Sequence, residues 1–167
     1  QDAKLVILLA GGVGVAPLAF LLHEVYFLAA AQHRITIIVY VGARPAALLA
    51  GIDRFKGVCD LRIATEDGSA GYRGLVTDLL RGDLCRYLPD ETLIHACGPT
   101  AMVRSLGLLL EQSNIRCEVS MEERMACGMG ACLGCAVAMR GGKEKNQYQR
   151  VCHDGPVFNL KDLDLKS

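Results

Sequence analysis

The sequence predicts an α/β chain in which a doubly wound, five-stranded parallel sheet is followed by a small C-terminal lobe containing a β-hairpin. Three observations predict it. Short apolar runs of strand type alternate with helical patterns along residues 4–121, the rhythm of strand–helix–strand units whose helices cover both faces of a parallel sheet. Glycine turns close several of the strands. After Met121 the composition changes abruptly, and Cys, Gly, Met and Ala crowd one loop, residues 124–135.

Each element has its own signal. Residues 4–10 (KLVILLA) are apolar after the first position with no alternation, as in a central strand covered on both faces. Gly11-Gly12-Val13-Gly14 follows, then a helical pattern that sets Leu18, Leu21, Leu22 and Val25 on one face. Residues 35–41 (ITIIVYV) form a second buried strand ended by Gly42, and residues 45–49 a short helix. The third strand spans 58–65, and Glu66-Asp67-Gly68-Ser69 is a turn-rich loop. A helix over 75–84, a fourth strand over 92–97, a helix from 100 to 113 and a fifth strand over 116–121 complete the sheet. In the remainder, strands near 136–140 and 147–151 flank the polar turn 141–146.

Composition narrows the functions open to the chain. Of 167 residues 51% are apolar, and 18 basic side chains balance 18 acidic ones. A neutral chain offers no electrostatic reason to bind nucleic acid or an anionic membrane. Neither a secretory signal nor a membrane span is visible: the apolar stretch 5–10 is too short, and 17–31 carries His23 and Glu24. A cytoplasmic location is expected. The chain opens on Gln1 rather than Met and enters a buried strand almost at once, so the N-terminal part of a longer protein is expected to be missing.

Eight cysteines are many for a chain with no sign of secretion. Disulfides are not expected in a reducing cytosol, so clustered cysteines read as metal ligands. Cys59, Cys85, Cys97 and Cys117 are scattered and read as small buried hydrophobes, with Cys97 a candidate exception. The others fall in the pattern Cys127-x4-Cys132-x2-Cys135-x16-Cys152. The first three have the plant-type [2Fe–2S] spacing, with a distant fourth. A tight loop supplies three thiolates and a strand end the fourth. Gly128, Gly130 and Gly134 let backbone curl around a cluster, and Ala126 and Ala131 leave room beside it. Four cysteines also build structural zinc sites, but those pair two Cys-x2-4-Cys knuckles, and Cys152 has no partner knuckle. His153 reads as a neighbour of the site rather than a ligand. A metal centre would also staple a lobe too small to own a large core.

In the first half, Gly11-Gly12-Val13-Gly14 joins a strand to a helix, where backbone can approach a pyrophosphate and the helix N-terminus offers free N–H groups. Pro17 suits the first helical turn. The loop departs from the GxGxxG dinucleotide fingerprint, and no acidic residue ends the second strand. Cys97-Gly98-Pro99 lies at the carboxyl end of another parallel strand, the edge at which open α/β sheets bind ligands. Arg44 follows the second strand at the same edge and suits a phosphate.

Together GGVGVAP, YVGAR, TEDGSAGYRGLVTDLL and HACGPTAMVRSL resemble, in order, the pyridine-nucleotide domain of the ferredoxin–NADP reductase superfamily. The tail CEVSMEERMACGMGACLGC…YQRVCHDGPVF is similar to that of electron-transfer subunits of class 1B dihydroorotate dehydrogenases. The resemblance implies residues 1–120 as a pyridine-nucleotide-binding domain and 121–167 as a [2Fe–2S] lobe. It implies Gly11, Gly12 and Gly14 near nucleotide phosphates, and Cys97, Gly98 and Pro99 beside nicotinamide or flavin. Glu66, Asp67 and Ser69 would lie near the NAD ribose, an acidic residue there favouring NAD over NADP. It implies three cofactors, NAD(H), FAD and [2Fe–2S], and a separate FMN-containing catalytic subunit in a heterotetramer serving pyrimidine biosynthesis. No acid–base catalytic residue is then expected in this chain.

The family holds FAD mainly through a β-barrel with an Arg-x-Tyr-Ser/Thr motif that this sequence lacks. The chain alone is therefore expected to hold FAD weakly or not at all, and to be inactive by itself. Two other readings compete: the flavoprotein subunit of a soluble hydrogenase or a transhydrogenase, and a zinc-stapled nucleotide-binding module with no redox role.

Overall fold

Leu5–Gly11 (β1) is the strand from which the sheet is built outward. The structure is a computed structural model that describes residues 3–32, 35–141 and 148–165. In chain order the further strands are Thr36–Ala43 (β2), Asp60–Thr65 (β3), Tyr72–Arg73 (β4), Thr92–Cys97 (β5) and Arg116–Ser120 (β6). Ala136–Ala138 (β7), Tyr148–Arg150 (β8) and Val157–Asn159 (β9) follow. The main sheet has the order β4-β3-β2-β1-β5-β6-β9, with β7 and β8 paired separately. Its neighbours run parallel except β9, which is antiparallel to β6.

Three helices cover the sheet: Val15–Gln32 (α1), Val76–Asp83 (α2) and Thr100–Leu110 (α3). The unbroken apolar run of β1 divides between two cores. Val6, Leu8 and Ala10 pack with Leu18 and Leu22 of α1. Ile7 and Leu9 point the other way, into the core that holds Leu80 of α2 and Val103 and Leu106 of α3. Each Val, Leu or Ile among them, taken fully from water, contributes about 1.5–3 kcal/mol, so a polar group on a doubly covered strand needs a partner of its own.

All five expected strands form, and two short ones extend the sheet to seven. β4 adds at one edge, with Ala64 opposite Tyr72 and Thr65 opposite Arg73. β9 adds at the other, with Val119 opposite Phe158. Strand β3 starts at Asp60 rather than 58, because the chain first turns: the Val58 N–H donates to the Phe55 carbonyl, and Phe55 is fully buried on the α1 side. The short helix expected at 45–49 is a single 3-10 turn, Ala46–Leu48. Most of the hairpin turn expected at 141–146 lies outside the described residues.

The C-terminal residues do not depend on a metal alone for their packing, as the sequence suggested. Phe158, Leu160 and Leu163 are buried in the same core as α2 and α3, together with Cys135, Val137 and Val151. Leu165 reaches Gly107 of α3, where a Cβ would stand 3.2 Å from its Cδ1. Alternation across β9 explains the anchoring: Val157 and Asn159 are exposed and Phe158 is buried between them.

One polar network lies within the α2-side core. The Tyr40 hydroxyl donates to Asp83 Oδ2 at 2.9 Å, Tyr87 OH lies 2.5 Å from Tyr40 OH, and Arg62 donates to both Tyr40 OH and the Asp83 carboxylate. The Arg62 guanidinium also sits over the Tyr40 ring, 5.4 Å from its centroid. Burial alone would raise the Asp83 carboxyl, but the Tyr40 and Arg62 hydrogen bonds outweigh it and hold the group below its ordinary range. A depressed carboxylate contributes stability above its unfolded pKa and loses it as pH falls through the folded value. Asp83→Asn is therefore expected to cost about 1–3 kcal/mol at neutral pH. In denaturant titrations the gap to wild type should close as pH drops through the carboxylate range.

Candidate functional site

The turn after β1 and the turn after β5 meet at the carboxyl edge of the sheet. A Cβ on Gly14 would stand 2.1 Å from the Cys97 carbonyl oxygen, and one on Gly98 3.0 Å from the Gly11 nitrogen. These glycines serve the close approach of two backbones. Gly12 differs: its φ is +55°, and nothing lies within 4 Å of where a Cβ would be. Gly12 therefore faces open space at the mouth of a cleft.

That cleft has a volume of about 500 Å³ and runs along the carboxyl ends of β1, β2, β3 and β5. Of the residues expected at a nucleotide site, Gly11, Gly12, Arg44, Glu66 and Pro99 line it. Gly14, Asp67, Ser69, Cys97 and Gly98 do not. Gly14 and Cys97 are buried behind the wall, and burial pushes the Cys97 thiol up. Asp67 accepts from the Ser69 N–H at 2.9 Å and hydroxyl at 2.6 Å, and Ser69 Oγ accepts from the Ala46 N–H at 2.7 Å. The Ser69 hydroxyl and N–H hold the Asp67 carboxyl below its usual range. Asp67 and Ser69 thus tie the loop after β3 to the loop after β2, leaving Glu66 as the carboxylate of the cleft.

Helix starts supply most of the rest of the lining, beside Gly42, Ala43 and Leu48. Gly74 to Thr77 enter at the head of α2, and Ala101, Met102 and Ser105 along one side of α3. Sequence reading missed them, although Gly74 before a helix and the i, i+4 spacing of Ala101 and Ser105 carried a signal. Arg44, Glu66, an open glycine backbone and apolar Leu48, Leu75 and Met102 suit a ligand with anionic and flat apolar parts.

The second candidate is the loop between β6 and β7. It has no regular structure, and Gly128, Gly130 and Leu133 have φ of +66°, +82° and +59°. Backbone N–H groups aim at sulfur: Ala131 to Cys127 Sγ and Gly134 to Cys132 Sγ, each at 3.3 Å, and Cys152 to Cys135 Sγ at 3.5 Å. The N–H groups of Met129, Cys132 and Ala131, with the Cys132 thiol, push the Cys127 thiol down to about 6. Cys152 is raised, chiefly by the neighbouring Cys135 thiol.

Thiol contacts thus join Cys127 with Cys132 and Cys135 with Cys152, and the charge of Cys127 also reaches Cys152. Among the described residues, no three His, Cys, Asp or Glu side chains gather as around a single ion. A [2Fe–2S] centre takes four thiolates, two on each iron, and the paired donors with their sulfur-directed N–H groups fit that group. His153 binds Asp154 instead, its Nδ1 2.8 Å from Oδ1. Of the scattered cysteines, Cys97 and Cys117 are buried as expected, Cys59 is half-buried and Cys85 is exposed. Among the described residues no helix is long and apolar enough to cross a membrane.

Comparison with known proteins gives the family of each half of the chain. Residues 8–107 match the oxidoreductase NAD-binding domain, and residues 122–164 the iron–sulfur cluster binding domain of dihydroorotate dehydrogenase B. The electron transfer subunit of dihydroorotate dehydrogenase B (NAD(+)) from Caldanaerobacter subterraneus is 37% identical over 162 residues, 97% of this chain and 60% of that protein. Its counterpart from Desulforamulus reducens is 37% identical over 153 residues, 89% of this chain and 54% of that protein. The chain thus spans 60% or less of the length of these two relatives. The solved structure of an NADH-dependent reduced ferredoxin-NADP oxidoreductase, studied for flavin-based electron bifurcation, superimposes with a TM-score of 0.77 at 29% identity, over 99% of this chain and 56% of that one. The chain belongs to the oxidoreductase NAD-binding domain family and carries the iron–sulfur cluster binding domain of dihydroorotate dehydrogenase B.

Proposed function

We propose that this chain is the pyridine-nucleotide and [2Fe–2S] part of a dihydroorotate dehydrogenase electron-transfer subunit. What carries the reading is the paired set of four thiols, with N–H groups directed at sulfur, beside an Arg44–Glu66 cleft at the same edge of one sheet. Cys127, Cys132, Cys135 and Cys152 are the cluster ligands, and the lobe that holds them begins near residue 121. Bound cofactors supply the redox chemistry: a nicotinamide exchanges a hydride with FAD, and the cluster carries electrons one at a time.

The residues of this chain bind and orient. Arg44 meets a phosphate of NAD(H), the Gly12 backbone lets the ligand close on the sheet edge, and Glu66 repels a 2′-phosphate. FAD is held mainly by the part of the relatives that this chain does not span. Electrons leave for an FMN-containing catalytic subunit, in a cytoplasmic heterotetramer that oxidises dihydroorotate for pyrimidine synthesis. A transhydrogenase-type subunit is the second reading, favoured by the likeness to the ferredoxin-NADP oxidoreductase. Co-purification from the native cell separates the two: an FMN-containing barrel enzyme supports the first reading, and another partner the second.

The chain purified anaerobically should show the visible absorption and, once reduced, the EPR signal of a [2Fe–2S] centre. Cys132→Ser should abolish both; an unchanged spectrum would remove Cys132 from the ligands. A colourless protein with one zinc and no labile sulfide would overturn the electron-transfer reading altogether. Glu66→Gln should raise affinity for NADP relative to NAD by about two- to fivefold, the worth of one exposed charge pair. Titration of both nucleotides against the variant checks this, and an unaltered ratio would clear Glu66 of the role.

A further inference from the structure

The guanidinium of Arg150, at the end of β8, is held on three sides. Nε and Nη2 donate to the two carboxylate oxygens of Asp154 at 3.0 and 3.1 Å, and Nη1 donates to the Gly130 carbonyl at 2.7 Å. Asp154 is itself fixed. Its Oδ2 accepts from the Arg150 backbone N–H at 2.9 Å, and its own N–H donates to the Arg150 carbonyl at 2.7 Å.

Gly130 lies midway between Cys127 and Cys132. It is the one buried residue from 122 to 134, and a Cβ there would stand 3.0 Å from the Cβ of His153. The loop that carries the first thiol pair is therefore seated on the turn that carries Cys152, and Arg150 reaches across the seat. An exposed Arg–Asp pair four residues apart contributes little to stability by itself. The third arm, to a carbonyl 20 residues away in sequence, is what such a pair does not need.

We propose that Arg150 is a positioning residue for the iron–sulfur site, setting the Cys127–Cys132 loop against Cys152 and placing a fixed cation beside the cluster. The inference rests on the four cysteines being [2Fe–2S] ligands. Outer groups of this kind orient metal ligands, and the potential of an iron–sulfur centre follows the charge and hydrogen bonds around it. A cation favours the reduced, more negative cluster.

Position and charge separate in two substitutions. Arg150→Lys keeps the charge but lacks the planar fork that spans Asp154 and Gly130. Arg150→Gln loses both. Wild type and variants are purified anaerobically with their clusters. Iron and labile sulfide, the rate at which a chelator bleaches the visible absorption, and the midpoint potential by EPR-monitored titration are then measured. Both variants should bleach faster by about tenfold or more, the scale on which outer contacts act. Only Arg150→Gln should shift the midpoint downward. Asp154→Asn loosens the fork, leaves the cation and removes the carboxylate that neutralises it; it should bleach as fast as the lysine variant with its midpoint moved upward, and it decides the matter if Arg150→Gln does not fold. Wild-type bleaching rates and potentials in all variants would overturn the proposal. Absence of labile sulfide in the wild type would instead overturn the ligand assignment, before any substitution is compared.

Discussion

Gly14 leaves no room for a side chain, because a Cβ there would sit 2.1 Å from the Cys97 carbonyl oxygen. The turns after β1 and β5 consequently meet backbone to backbone, and the remaining features of this edge follow from that contact. From β1 the chain moves one way, through α1 to β2; from β5 it moves the other way, through α3 to β6. A reversal of this kind opens a crevice at the strand ends. Here α3 starts directly after the β5 turn, and Met102 closes over Gly11 and Gly98, with its Sδ 2.7 Å from where a Gly11 Cβ would be and its Cε 2.6 Å from where a Gly98 Cβ would be. Replacing Gly14 would push the turns apart and move the wall of the cleft with them, whereas at Gly11 and Gly98 the flexible end of Met102 would have to give way.

The cysteine loop depends on the same sheet at one remove. It leaves β6 at the carboxyl end, the edge on which the cleft lies, and the chain returns through β9 onto β6. The Met121 N–H donates to the Pro156 carbonyl at 2.9 Å, closing the base of the excursion. Phe158 then fills the core side of β9, so tightly that a Cβ on Gly155 would stand 2.5 Å from its ring. The turn holding Cys152 is thus referred back to the core, and the distance between the two candidate sites is set by packing rather than by a linker.

Much of this was legible because local chemistry decided it. β1 and β2 are too apolar to be anything but doubly covered strands, and the spacing of Cys127, Cys132 and Cys135 is confined to one loop. What was not legible depended on partners far away in sequence. β4 is two residues long and β9 three, too short to show a period; each exists because a sheet edge was waiting for it. The same holds for the acidic loop after β3. Glu66 and Asp67 are equivalent in sequence, and only the reach of Ser69 to Ala46 takes Asp67 out of the cleft.

The two thiol pairs differ in surroundings in a way that bears on electron flow. Cys127 and Cys132 are exposed, whereas Cys135 is buried and Cys152 half-buried against the core. Around the outer pair stand Met125, Met129 and Leu133, apolar side chains that are 51%, 73% and 62% exposed. A cluster held between these pairs would have a polarisable, solvent-facing side and a low-dielectric, core-facing side. Water reaches the outer thiols, while the inner pair is answered by the Cys152 N–H on Cys135 Sγ and by the Arg150 cation seated against the turn of Cys152. The N–H groups of Met129, Cys132 and Ala131, which hold the Cys127 thiol down, belong to that outer side. The asymmetry follows from seating a loop of small residues on a sheet edge: one side of the loop must face the core, and the other must face whatever lies outside.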